Sequence, residues 1–192
     1  VAGQDINNFG IRASAGLIEN LNVEGEYVYQ TLRKDSANAY IDQNNKNKSA
    51  DAWRLAASFG MPDVVWAPTV AADVASLSSK WNVMHESWVP ADLANLIFQN
   101  TNMRVIGATV SAKPMDAMML KLRYANFKAR QAVGATYTSV GTTNTYTTVA
   151  GKKELGSEVD LAMLYDYTED VQFALCYGKL MPGKAFAESN RK

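Results

Sequence analysis

Apolar and polar residues alternate with a period of two along most of the chain. That is the spacing of strands with one face toward an apolar medium and the other toward a polar one. In residues 9–17, Phe9, Ile11, Ala13, Ala15 and Leu17 oppose Gly10, Arg12, Ser14 and Gly16. Next, Val23, Gly25, Tyr27 and Tyr29 oppose Glu24, Glu26, Val28 and Gln30. Trp53, Leu55, Ala57 and Phe59 then oppose Arg54, Ala56, Ser58 and Gly60, and Val70, Ala72 and Val74 oppose Thr69, Ala71 and Asp73. The second half repeats the behaviour. Ile106, Ala108, Val110 and Ala112 oppose Val105, Gly107, Thr109 and Ser111, and Met118, Leu120, Leu122 and Tyr124 oppose Met119, Lys121, Arg123 and Ala125. Leu155, Val159, Leu161, Met163, Tyr165 and Tyr167 oppose Gly156, Glu158, Asp160, Ala162 and Asp166. Val171, Phe173, Leu175 and Tyr177 close the series against Gln172, Ala174, Cys176 and Gly178. The pattern predicts about eight strands of roughly ten residues, the length that crosses a tilted bilayer path.

Short links near 18–21, 61–64, 113–116 and 168–170 alternate with long polar segments at 33–48, 79–100 and 131–152. An antiparallel up-and-down meander produces this when all its short turns lie at one end, as in transmembrane β-barrels. The run Asp42-Gln43-Asn44-Asn45-Lys46-Asn47-Lys48-Ser49 has loop composition. Residues 93–98, Leu-Ala-Asn-Leu-Ile-Phe, predict a short helix or an inward-folded plug within the second long segment. Tyr137 and Tyr146, in a Thr-rich run, are expected to be strand extensions above the membrane rather than sugar-stacking side chains.

Composition narrows the chemistry. The 192 residues carry 19 basic and 19 acidic side chains, a formal net charge of zero. No nucleic-acid partner is expected, because phosphate binding needs a clustered basic surface. No apolar run reaches the ~18 residues of a spanning helix. The mean hydropathy of −0.19 says nothing against a barrel, whose strands average apolar with polar. With 1 Cys and 1 His, multi-cysteine and two-imidazole metal sites are excluded. His85, beside Glu86 and Ser87, is the one imidazole base available, and sequence neighbours seldom form a catalytic geometry. No catalytic residues, metal or cofactor are expected. Cys176 is expected to be a buried, inert thiol, and the cluster Met115, Met118 and Met119 gap-filling or interfacial hydrophobes.

The polar face carries the candidate functional residues: Arg12, Glu24, Glu26, Arg54, Asp73, Lys121, Arg123, Glu158, Asp160 and Asp166. Among them stand many small residues, including Gly10, Ser14, Gly16, Ala71, Gly107, Ala125, Gly156, Ala162 and Gly178. Small residues mixed with charge suit a curved wall around water, so the ten are expected to line a pore. On the apolar face Tyr27, Tyr29, Tyr124, Tyr165, Tyr167 and Tyr177 are expected near strand ends, as in the aromatic girdles of membrane barrels. Two alternatives stay open. One is a small closed outer-membrane barrel with a structural or adhesive role, since eight strands can close. The other is a soluble β-barrel or sandwich binding protein, whose apolar face would be a dry core.

Longer motifs carry a resemblance. The segment Leu155-Gly156-Ser157-Glu158-Val159-Asp160 leads through Tyr167-Thr168-Glu169-Asp170 to Gly178-Lys179-Leu180-Met181-Pro182-Gly183-Lys184-Ala185-Phe186. Upstream stand Trp88-Val89-Pro90, Asn100-Thr101-Asn102-Met103 and Ser111-Ala112-Lys113-Pro114. Over 85–190, and most closely over 153–186, these resemble the alginate-export family of outer-membrane β-barrel porins of Gram-negative bacteria. The resemblance implies an all-β transmembrane barrel domain over 1–192, forming the C-terminal portion of a larger barrel. It also implies outer-membrane lipid as surroundings and passive transport of a polar or sugar-like solute. In that family basic pore residues serve an acidic polysaccharide. The inward charges here are mixed, which argues against a dedicated polyanion channel.

Overall fold

The computed structural model describes residues 6–32, 48–82, 91–98, 100–138 and 145–190. Residues 42–47 of the expected loop 42–49, the His85-Glu86-Ser87 run and the Trp88-Val89-Pro90 element lie outside them, while Lys48 and Ser49 begin a strand instead.

The fold is all-β. In chain order the elements are β1 (Ile6–Ile18), β2 (Leu21–Leu32), β3 (Lys48–Gly60), β4 (Thr69–Leu77), α1 (Leu93–Ile97), β5 (Met103–Met115), β6 (Met118–Ala129), β7 (Thr136–Thr138), β8 (Thr145–Thr147), β9 (Glu154–Asp166) and β10 (Gln172–Pro182). A single turn of 3₁₀ helix follows at Glu188–Asn190. Eight strands form one antiparallel sheet in the order β1-β2-β3-β4-β5-β6-β9-β10, and β7 and β8 form a separate hairpin. Among the described residues β1 and β10 do not pair with each other, so the sheet is open, as a portion of a larger barrel wall would be. No described helix is long and apolar enough to cross a membrane, which has no bearing on crossing by strands.

Short connections at 19–20, 61–68, 116–117 and 167–171 lie at one end and the long ones at the other. Lys113-Pro114 falls inside β5 rather than in the turn, at a register shift between Ala112 and Met115. The Lys113 N–H there leaves the ladder and donates to the Trp66 carbonyl at 2.7 Å.

The large apolar side chains of one face are exposed: Ile11, Leu55, Ile106, Leu122, Leu161 and Leu175 are 71, 53, 66, 51, 48 and 66% accessible. A soluble sandwich would bury this face. A barrel in lipid presents it outward. Tyr27, Tyr29, Tyr124, Tyr167 and Tyr177 are also exposed. The expectation that they cluster at strand ends holds only in part. Tyr124 stands in the middle of β6 and Tyr177 in the middle of β10, while Tyr167 packs edge-on against Phe173 at 6.0 Å beside the last short turn.

The true core is small and lies at the long-loop end, on the opposite face. Leu77, Met103, Val105, Phe127 and Leu155 from the sheet meet Ala94 and Phe98 of the α1 segment and Phe186 from the chain beyond β10. Phe98 stacks on Phe186 at 6.0 Å and meets the Phe127 edge at 5.5 Å. Tyr137 and Tyr146 depart from expectation. They are register partners in the β7–β8 hairpin and pack on Phe186 at 5.9 and 6.1 Å, instead of extending the main sheet.

Leu155 departs as well. The pairing of β6 with β9 shifts between Phe127 and Lys128, whose partners are Gly156 and Glu154. One extra residue in a strand is a β-bulge, and it turns Leu155 into the core at 2% exposure. Gly156 follows with φ +145°, and a Cβ there would collide with the Met181 carbonyl. Gly183 lies equally close to the Glu154 carbonyl, and its N–H donates to Leu155 at 2.8 Å. The Leu-Gly and Pro-Gly steps are thus two sides of one tight backbone approach.

Candidate functional site

Residues directly opposite in an antiparallel pair share a face, so the register decides which side each charge takes. Arg12 pairs with Glu26, and Glu26 with Arg54. Ala56 opposite Glu24 pairs with Asp73, and Asp73 with Gly107. Gly107 pairs with Ala125, which faces Glu158, while Arg123 faces Asp160. Lys121 faces Ala162, and Asp166 lies on the same alternation. All ten candidates therefore stand on one face, opposite the exposed apolar one.

This face is concave. A hollow of about 490 Å³ is lined from β1 to β6, with Glu24, Arg54, Asp73, Lys121 and Arg123 among its walls. A smaller cavity of about 80 Å³, shared by Lys121 and Arg123, reaches Asp92, Asp160 and Ala162. Five of the ten candidates are thus brought around one hollow.

Half of the ten charges are in ion pairs among the described residues. Glu24 receives Arg12 through one oxygen and Arg54 through the other, both at 3.1 Å. Arg123 grips Asp73 with both terminal nitrogens, at 2.6 and 3.0 Å, and also donates to Thr109 Oγ1 at 3.0 Å. Arg123 and Asp73 are only 5 and 9% exposed. A two-pronged guanidinium–carboxylate pair is the geometry that offsets such desolvation. The guanidinium lies across Gly107, where a Cβ would collide with it. Sequence analysis missed the partners Gly107 and Thr109. Their signal is a glycine inside a strand, which marks a slot for a crossing side chain.

Lys121 is exposed and forms no ion pair among the described residues. Asp166 is exposed by the last short turn and accepts from Gln172 Nε2 at 2.6 Å. Glu26 is half-buried. Two carboxylates depart from the expected solvent-facing role. Glu158 is completely buried, its oxygens taken by backbone N–H groups at the start of α1. Asp160 is 7% exposed, and its oxygens lie under the α1 segment beside Gly178 and Leu93. A further pair, Arg130 with Asp51 at 2.8 Å, ties β3 to the end of β6 at the long-loop end.

Cys176 corrects another expectation. It stands on the concave face opposite Ala162, yet it is exposed: β10 is a sheet edge, and the α1 segment packs over it at Gly178. Among the described residues no group of three or more His, Cys, Asp or Glu is placed to hold a metal ion.

Comparison with known protein families matches residues 93–192 to the family described as alginate export. That stretch is just over half of the chain. The chain belongs to the alginate export family. The match begins at α1 and takes in β5, β6, the hairpin, β9 and β10, so the inward segment and the Arg123 side of the hollow both fall within it. Membership gives this family member an export or channel role at the outer membrane. No curated protein matches the chain.

Proposed function

We propose that this chain forms part of the wall of a water-filled outer-membrane channel, whose concave face passes polar or sugar-like solutes passively. The observation that carries the proposal is the register-wide separation of the two faces. All ten charged residues stand on one face, five of them around one hollow, while Ile11, Leu55, Ile106 and Leu122 are exposed on the other side. Lumen charges select by sign, because fixed charges in low-dielectric walls attract counter-ions. Here Arg12 and Arg54 are shared with Glu24, and Arg123 is bound to Asp73. Lys121 is left as the exposed cation of the hollow. The mixed balance supports a weakly anion-preferring passage for polar solutes in preference to a strong polyanion trap.

The test is planar-bilayer recording of the intact barrel. A stable ohmic conductance with modest anion preference, lowered when Lys121 becomes Ala, is the expected result. A folded barrel that carries no current and passes no labelled sugar from liposomes would overturn the proposal. Folding itself is checked by β-structure that needs detergent and by gel mobility that changes on boiling.

A further inference from the structure

The α1 segment, residues 91–98, is held by one wall side chain. The Asp92 and Leu93 N–H groups donate to Glu158 Oε1 at 2.8 and 2.9 Å, and Ala94 N–H donates to Oε2 at 2.5 Å. Charge-assisted bonds of this kind are roughly twice as strong as neutral ones. They also satisfy three of the four N–H groups that any helix start leaves without a partner. Glu158 is completely buried. In that position a carboxylate without those donors would be costly. At the other end of the segment Phe98 anchors in the aromatic cluster with Phe127 and Phe186. Leu96, between the two anchors, is 66% exposed, turned away from the wall. The segment therefore lies across the concave face, over Asp160 and beside the 80 Å³ cavity.

We propose that residues 91–98 form the constriction of the passage and that Glu158 is the positioning residue that latches them to the wall. This rests on the channel reading. Glu158 acts through the segment it holds, so releasing it widens the pore instead of merely changing its charge. Two variants separate those effects. Glu158→Gln keeps the shape but cannot accept all three bonds, since its amide nitrogen is a donor. Ala94→Pro removes one donated N–H while leaving the carboxylate intact, in the first turn, where that N–H has no intrahelical acceptor to lose.

The experiment is single-channel recording of the intact barrel with polyethylene glycols of graded size as pore-sizing probes. Both variants are expected to raise conductance by about twofold, to admit larger polymers and to add open-state noise, because passage follows the narrowest radius. If Glu158→Gln alters only ion selectivity, with Ala94→Pro matching the unmodified barrel, Glu158 is a lumen charge and the latch is overturned. A conducting unmodified barrel equalled by both variants in conductance and polymer cut-off overturns it too, and leaves the channel reading standing. No current from any of the three removes both. A measurement on the unmodified barrel stands apart from any folding defect. Amides of the 91–98 peptide should exchange hydrogen slowly in micelles, and exchange at the rate of an unstructured peptide would overturn the latch.

Discussion

The two ends of the sheet use the same alternation for different purposes. Toward the long loops, the concave face is covered: Val105, Phe127 and Leu155 are packed beneath α1, and Phe186 closes over them. Toward the short turns the same face is open, lined by Ser14, Asn22, Ser58 and Ala71 around a hollow. The outward face is apolar along the middle of the sheet, and at the long-loop end it carries the exposed charges Arg104, Lys128 and Glu154. Period two thus says which residues share a face, while what lies on that face depends on chain arriving from elsewhere. At the covered end, aromatic packing and a buried carboxylate hold the structure. At the open end, ion pairs such as Arg12–Glu24 and Arg123–Asp73 do so.

That contrast can be broken by substitution, with stability read from denaturant unfolding in micelles. The largest effect is expected at the covered end. Phe98→Ala should cost about 4 kcal/mol, the range for emptying a core aromatic site, and should loosen α1, Tyr137 and Phe186 together. Between the ends, Asp73→Ala should cost about 3 kcal/mol by leaving the buried Arg123 charge unpaired. Replacing both members with leucine should cost much less. On the outward apolar face, Leu122→Arg near the middle of β6 should cost about 2–3 kcal/mol in a bilayer, and a value near zero would mean that this face does not meet lipid. At the covered end again, Gly156→Ala should cost about 2 kcal/mol, because φ +145° is strained for any other residue. Smallest of all, Arg12→Ala at the open end should change stability by about 0.5 kcal/mol or less, since its pair with Glu24 is exposed and screened. Equal costs at Arg12 and Phe98 would erase the distinction between the ends.

Several departures from the alternation share a cause. Leu155 reads as outward in the sequence because parity counts every residue, yet a bulge consumes one residue and reverses the side. Cys176 reads as buried because small neighbours flank it, yet it is exposed, because it stands on an edge strand that α1 covers only in part. Glu158 reads as one more carboxylate on a polar face, and only the arrival of α1 makes it a backbone acceptor. The tyrosines of the hairpin read as strand extensions above the membrane, yet they pack on Phe186 in the aromatic cluster.

By itself the sequence determined the strands, their antiparallel order, the alternation of short and long connections, and the side of the sheet each of the ten charges takes. All of these follow from a two-residue period, a local property that strand geometry enforces along each segment. Only the tertiary structure decided which charges meet. Arg123 reaches Asp73 across two intervening strand pairings, and Glu158 meets N–H groups more than sixty residues earlier in the chain. Those choices rest on register, bulges and the path of one short segment, where a shift of a single residue changes the partner without altering the pattern.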